Sequence, residues 1–185
     1  MSTRNPGTGP SPTRDDCYRD AVDRFGKALD RLARAYEADP EARRDLLQDI
    51  HFAIWRSFGN FDRRCSVRTW VYRVAHNTAT SHITRAFRLR RQQFLTLDEL
   101  ADEPAIPERP ADEVLGQRQA VDRLYALIQQ LDPIDRQVIV SYLEGIEASE
   151  IAEIVGTSSG AIGMKVHRIK RLLARQFNEG GGDDR

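Results

Sequence analysis

Residues 149–168 read SEIAEIVGTSSGAIGMKVHR, and this stretch decides how the C-terminal part of the chain folds. It begins with a pattern typical of a short helix that buries three residues, Ile151, Ala152 and Val155. Gly156 then supplies a turn, because glycine adopts positive φ without steric strain. Ser158 is a suitable N-cap for a second helix, whose buried face would hold Ile162, Val166, Ile169 and Leu173. Two helices joined in this way form a helix-turn-helix, whose second helix enters the major groove of DNA.

The other face of that second helix is predicted to be basic, with Met164, Lys165, His167, Arg168, Arg171 and Arg175. No carboxylate occurs between Ile154 and Asn178. We expect Lys170, Arg171 and Arg175 to anchor phosphates. The side chains nearer the helix start are candidates to read base edges: Lys165, His167 and Arg168. The alternative is a helical hairpin with a solvated charged face.

A second basic stretch lies far from the first in sequence. Between Arg63 and Leu97 there is no Asp or Glu, and the arginines are Arg63, Arg64, Arg68, Arg73, Arg85, Arg88, Arg90 and Arg91. The segment 98–113 is acidic, so the balance of 28 basic and 28 acidic residues hides a basic–acidic–basic order. A polyanion responds to the local field within roughly 10 Å. The order therefore predicts two separated contacts with nucleic acid.

The fold class expected from the hydrophobic pattern is all-α. Apolar residues recur at spacings of three and four, and no segment keeps the alternation of a strand. We expect two small helical bundles joined by a flexible acidic linker, the C-terminal one containing the helix-turn-helix. The expected boundaries are a disordered tail at 1–17, a first bundle at 18–94, a Pro-containing linker at 95–113, a second bundle at 114–178 and a disordered tail at 179–185.

Several classes of protein are disfavoured by the sequence. The apolar runs are far shorter than the roughly 18 residues of a membrane span, and no secretory signal is recognisable. Cys17 and Cys65 do not have metal-binding spacing, and His76 and His82 are poorly spaced to share zinc on a helix. We therefore expect a cytoplasmic protein with reduced thiols, no metal, no cofactor and no catalytic constellation.

Two N-terminal segments carry a family resemblance. Residues 45–58, DLLQDIHFAIWRSF, and 61–77, FDRRCSVRTWVYRVAHN, closely resemble domain 2 of bacterial sigma factors, in particular the two-domain extracytoplasmic-function (ECF) type. The C-terminal block is similar to sigma domain 4, so the resemblance covers roughly Val22 to Arg175. It implies a protein that binds core RNA polymerase, recognises −35 promoter DNA with the C-terminal block and melts −10 DNA with the N-terminal one.

The resemblance also implies roles for individual residues. Polymerase contact falls on Asp45, Gln48, Asp49, His51 and Phe52. The −10 contact and melting role falls on Phe61, Arg63, Arg64, Arg68, Tyr72, Arg73 and Asn77. The arginines among them would bind the backbone of the displaced strand, and the aromatic and amide side chains would bind an unstacked base. For Trp70 we expect core packing instead. The −35 contact falls on Ser158, Ser159, Gly160, Met164, Lys165, His167, Arg168 and Arg171, although Gly163 and Met164 depart from the family's usual helix start.

Two further expectations concern partners. We expect an anti-sigma factor that holds the two bundles together, because exposed apolar residues and opposed charge blocks favour masking. The acidic linker would suit basic polymerase channels or serve as a solubilising spacer. The rival function is a stand-alone helix-turn-helix transcriptional regulator that binds duplex DNA without polymerase; it leaves the arginine run unexplained.

Overall fold

The computed structural model describes residues 13–94 and 113–179, and within these ranges all the regular elements are helices. They are α1 (Arg14–Tyr36), α2 (Pro40–Ser57), a 3₁₀ turn (Phe58–Asn60), α3 (Val67–Phe94), α4 (Glu113–Gln129), α5 (Pro133–Leu143), α6 (Ala148–Val155) and α7 (Ser159–Glu179). The expectation of an all-α protein is confirmed. The predicted linker up to residue 112 and the tails at 1–12 and 180–185 lie outside the described residues. None of these helices is both long and apolar enough to cross a membrane.

Helix α1 begins earlier than the sequence pattern indicated, so the predicted tail at 1–17 is wrong for its last residues. The Thr13 hydroxyl accepts a hydrogen bond from the backbone N–H of Asp16 at 3.2 Å, and the Asp16 carboxylate accepts one from the N–H of Thr13 at 3.1 Å. This reciprocal capping box satisfies two N–H groups that have no partner inside the helix. Helix formation therefore starts at Arg14, before the first large apolar residue.

The two Asp-Pro pairs start helices as predicted. The Asp39 carboxylate accepts hydrogen bonds from the N–H groups of Glu41 and Ala42, at 3.0 and 2.8 Å, and Pro40 takes the first helical position. Asp132 caps α5 in the same way. Such an N-cap contributes about 1 kcal/mol. Proline suits the first helical position because a backbone N–H at that position would have no acceptor within the helix.

Helices α1 to α3 form the first bundle around large aliphatic side chains. Its fully buried residues include Leu29, Leu32, Leu46, Ile50, Ile54 and Val71. The second bundle, α4 to α7, buries the predicted apolar face of α7, namely Ile162, Val166, Ile169 and Leu173. Burial of each such side chain contributes roughly 1.5–3 kcal/mol relative to exposure.

The two bundles pack against each other, a contact that the sequence analysis did not predict. The buried His76 of α3 joins them: its Nδ1 lies 2.9 Å from the Tyr36 hydroxyl of α1, and its Nε2 lies 3.0 Å from the Ser141 hydroxyl of α5. Nearby, the Arg31 guanidinium donates two hydrogen bonds of 2.6 Å to the Glu144 carboxylate. The chain's own residues thus hold together the modules that we expected a linker to keep apart.

Burial of His76 predicts a specific dependence of stability on pH. Desolvation lowers the pKa of His76 from 6.5 to about 3, so between these values the unfolded chain binds a proton that the folded chain does not. The free energy of unfolding should therefore fall as pH drops below 6.5, by about 1.4 kcal/mol per pH unit. Urea unfolding at pH 7.5, 6.5, 5.8 and 5.0 measures this slope.

The matched control for that slope is His76→Gln, which removes the ionisable group and keeps a polar side chain. Partial burial also lowers the pKa of His51, so the variant should retain a small slope of the same sign. Equal slopes for the wild type and His76→Gln between pH 6.5 and 5.0 would contradict the prediction.

Candidate nucleic-acid interface

The helix-turn-helix has the predicted turn. Gly156 has φ of +80°, and the N–H groups of Gly156 and Thr157 both donate to the Ala152 carbonyl, at 2.8 and 3.0 Å. The Ser158 hydroxyl accepts from the N–H of Ala161 at 3.3 Å, which caps α7. The turn directs the start of α7 to solvent, with exposed Ser158, Ser159, Gly160, Met164, His167 and Arg171.

Two α7 residues that were predicted to contact DNA bases, Lys165 and Arg168, are bound to a carboxylate of α5. Asp135 is buried, and it accepts from the Lys165 ammonium and, at 2.6 Å, from the Arg168 guanidinium. Burial alone would raise the pKa of Asp135, but hydrogen bonds from Lys165 and Arg168 outweigh it, and the pKa is lowered. The structure therefore gives Lys165 a positioning contact between α5 and α7, whereas Arg168 keeps most of its side chain exposed.

The loop before α3 presents two adjacent exposed cations. Arg63 and Arg64 are both exposed, and Arg63 has φ of +61°, a left-handed conformation uncommon for a residue other than glycine. Asp62 accepts a hydrogen bond from the N–H of Arg64 at 3.1 Å, which stabilises this sharp turn. Asn77, farther along α3, is exposed as well. All three residues face solvent, and the Arg64 guanidinium also pairs with the Asp62 carboxylate at 3.1 Å.

The aromatic residues predicted to capture a base are not equally placed. Tyr72 is only 2% exposed and packs edge-on against Phe25, so its predicted contact with DNA is contradicted in this conformation. The reason is its position on the α3 face that packs into the core beside His76. Phe61 is half-buried and lies against Trp70, with ring centroids 5.3 Å apart. The expectation of core packing for Trp70 is confirmed, and its Nε1 donates to the Ser57 hydroxyl at 2.9 Å.

The remaining predicted −10 arginines contact the second bundle. Arg68 forms an ion pair with Glu150 of α6, and the Arg73 guanidinium donates to the Glu153 backbone carbonyl at 2.9 Å. A cleft of about 480 Å³ lies at this junction, lined by Asp62, Arg64, Cys65, Trp70, Arg73 and Glu153. Sequence reasoning had no signal for Glu150, because it lies 82 positions from Arg68.

Helix α2 presents the predicted polar ridge. Asp45, Gln48, Asp49 and Phe52 are all exposed, and their spacing places them on one face. Phe52 is 58% exposed, unusual for so large an apolar side chain, and stacks on Trp55 at 6.0 Å between ring centroids. Asp49 also lies 3.7 Å from Nδ1 of His82 and 4.0 Å from the Arg85 guanidinium.

His51 lies apart from this ridge, and its predicted contact with polymerase stays a prediction. It is half-buried, and its Nδ1 lies 3.1 Å from the Tyr18 hydroxyl of α1. Helical spacing explains the difference, since position 51 is rotated away from positions 45, 48, 49 and 52. His51 thus helps to join α1 to α2.

A basic arginine loop on one helical bundle and an exposed recognition helix on another define a DNA-binding protein of the helix-turn-helix class. Comparisons with known proteins are more specific. Residues 21–89 match the family model for Sigma-70 region 2, and residues 122–173 match that for Sigma-70 region 4. The chain therefore belongs to the RNA polymerase sigma factors, in their ECF group, and directs transcription initiation.

Similar proteins support this membership over most of the chain. The RNA polymerase sigma factor NccH of Alcaligenes xylosoxydans xylosoxydans is 26% identical over 154 residues, 82% of each chain. The ECF RNA polymerase sigma factor SigX of Bacillus subtilis (strain 168) is 25% identical over 144 residues, covering 75% of this chain and 72% of SigX.

Two solved structures share the fold. CnrH, in complex with the cytosolic domain of CnrY, has a TM-score of 0.61 and 22% identity, with 88% of each chain covered. The sigma factor RpoE of Bartonella quintana, in complex with the anti-sigma factor NepR, has a TM-score of 0.62 and 19% identity, with 94% of this chain and 100% of that chain covered.

Proposed function

We propose that this sigma factor binds core RNA polymerase through the exposed ridge of α2, formed by Asp45, Gln48, Asp49 and Phe52. The observation that carries this assignment is the 58% exposure of Phe52 beside three polar side chains. Exposed aromatic residues are enriched at the centre of protein interfaces, where a rim of polar groups surrounds them.

The first bundle would contact and open the −10 region. Arg63 and Arg64 supply exposed cations for a displaced strand, Asn77 supplies an amide for an unstacked base, and Arg68 and Arg73 join them once α6 moves away. Trp70 lines the adjacent cleft and Phe61 packs against Trp70, so a base entering the cleft could stack on an aromatic ring. Tyr72 is left out of this set because it is part of the core.

The second bundle would recognise −35 DNA through the start of α7. Ser158, Ser159 and Gly160 place hydroxyl and backbone groups at the helix start, which suits phosphate contacts. Met164, His167, Arg168 and Arg171 project from the same exposed helix. Lys165 would act through Asp135, by fixing the angle between α5 and α7.

The protein's setting follows from the same assignment. We place it in the cytoplasm with core polymerase and promoter DNA, without catalytic activity of its own. The functional regions would be 14–94 and 114–178. An anti-sigma factor is the expected inhibitor, and large exposed apolar residues of the second bundle support such a partner: Val121, Ile134, Tyr142, Leu143 and Leu172.

A reconstituted transcription assay tests this function. Core polymerase with a library of genomic fragments is incubated with and without the protein, and RNA 5′ ends are sequenced. We expect a distinct set of start sites that requires the protein and shares spaced −35 and −10 elements. Unchanged start sites, together with binding of duplex DNA in the absence of polymerase, would favour the stand-alone regulator instead.

A further inference from the structure

The Glu150 carboxylate of α6 occupies a ready-made anion site on the first bundle. Oε1 accepts hydrogen bonds from the hydroxyls of Ser66 and Thr69, at 3.2 and 3.4 Å, and Oε2 pairs with the Arg68 guanidinium. Ser66 immediately precedes α3, so the carboxylate also lies at the positive end of that helix. Hydroxyls, a guanidinium and a helix start are the groups that proteins use to bind phosphate.

The electrostatics of this contact favour the ionised carboxylate. Partial burial opposes ionisation of Glu150, but the guanidinium of Arg68 and the two hydroxyls outweigh that effect, and the pKa of Glu150 is lowered. A carboxylate in this position presents negatively charged oxygens where a nucleic-acid backbone would place its own.

A second contact maintains the same arrangement of the bundles. Glu144 follows α5, and its carboxylate accepts both hydrogen bonds from Arg31, with the Glu144 side chain only 10% exposed. Bidentate pairs of this kind are geometrically specific. Together with the hydrogen bond between Arg73 and the Glu153 carbonyl, the pair keeps α6 against the start of α3.

We propose that the second bundle inhibits the first within the same chain, with Glu150 acting as a substitute for a DNA phosphate in the −10 site. Promoter DNA must displace Glu150 before Arg68 and Arg73 can bind it, so the closed chain holds nucleic acid weakly until the bundles separate. This inference rests on the proposed −10 role of the first bundle.

The test compares two double variants of the full chain that remove equal charge. Glu144→Gln/Glu150→Gln breaks two ion pairs between the bundles, Arg31–Glu144 and Arg68–Glu150, and keeps the exposed pair between Arg34 and Asp122. Glu147→Gln/Glu153→Gln removes two exposed carboxylates from the same region, and the bond to Arg73 uses the Glu153 carbonyl, which the substitution keeps. Glutamine has nearly the size of glutamate, and circular dichroism verifies that each variant keeps its helices. The single variant Glu150→Gln serves if the double variant does not fold.

Two readouts are needed. Fluorescence anisotropy measures affinity for a labelled, mixed-sequence single-stranded DNA of 20 nucleotides, and small-angle X-ray scattering measures the radius of gyration without DNA. We expect Glu144→Gln/Glu150→Gln to bind the oligonucleotide at least five-fold more tightly than wild type and to have a larger radius of gyration. The Glu147→Gln/Glu153→Gln control should gain less than two-fold and keep the wild-type radius.

Each other outcome overturns the proposal. Equal tightening in both double variants would mean that net charge alone sets the affinity, and tightening without expansion would mean that the bundles do not separate. No change in either readout would mean that Glu150 does not compete with DNA. The scattering result does not depend on the proposed function. If the double variant expands but directs no transcription with core polymerase, the proposed function is refuted, whereas the inference that Glu144 and Glu150 hold the bundles together still stands.

Discussion

Replacing Arg63 and Arg64 by glutamate should nearly abolish promoter opening while leaving closed-complex binding within about three-fold of wild type. Both side chains are exposed at the tip of the loop before α3, and neither contributes to the hydrophobic core. Each phosphate contact of this type contributes to affinity through release of condensed counterions. Reversal changes attraction to repulsion at two adjacent positions, so we expect the yield of open complex to fall by a factor on the order of 100.

Permanganate reactivity of unpaired −10 thymines measures opening, and a gel-shift assay at low temperature measures the closed complex. The matched control is Arg19→Glu/Arg24→Glu, which reverses two exposed arginines on α1. That control should open the promoter at close to the wild-type level. Equal impairment of both steps by Arg63→Glu/Arg64→Glu would refute a role in melting.

The second large effect is expected for Phe52→Ala, which should weaken binding to core polymerase about 10- to 100-fold. Phe52 is largely exposed on α2, so its truncation removes little packing from the folded chain. Aromatic residues that become fully desolvated in an interface commonly contribute 2 kcal/mol or more. The loss should therefore appear in the dissociation constant, with the free energy of unfolding nearly unchanged.

Biolayer interferometry with immobilised core polymerase gives this dissociation constant, and urea unfolding gives the stability. Leu172→Ala is the matched control, because Leu172 is another exposed apolar residue, on α7 rather than α2. Its affinity for polymerase should stay within two-fold of wild type. A similar loss of affinity in both variants, or no loss for Phe52→Ala, would show that polymerase does not bind the α2 ridge.

The closed arrangement changes how the two basic stretches are understood. The sequence places them on separate modules, and that remains a sound basis for two promoter contacts. The structure adds that the modules contact each other through the very arginines assigned to DNA: Arg68 and Arg73 bind α6. Binding of −10 DNA and separation of the bundles are consequently expected to be coupled, because the same surface of α3 would contact α6 in the closed chain and DNA in the open one.

Local features of the chain were predictable because they depend on neighbouring residues. The Asp-Pro helix starts, the turn at Gly156 and the buried face of α7 follow from capping, backbone freedom and a period of 3.6 residues. The family resemblance rests on the same kind of information, since it is carried by contiguous motifs such as 61–77. The start of α1 was missed because its capping box lies in a polar segment with no apolar periodicity.

The sequence by itself determined the helices, the two bundles and the family of this protein, because each of these depends on patterns among residues close together in the chain. Tertiary structure alone decided which predicted residues are accessible. It buried Tyr72, turned His51 toward Tyr18 and paired Lys165 with Asp135. It also brought Glu150 to Arg68 across 82 positions. Such contacts depend on how whole helices pack, because burial and ion pairing are set by neighbours in space rather than along the chain.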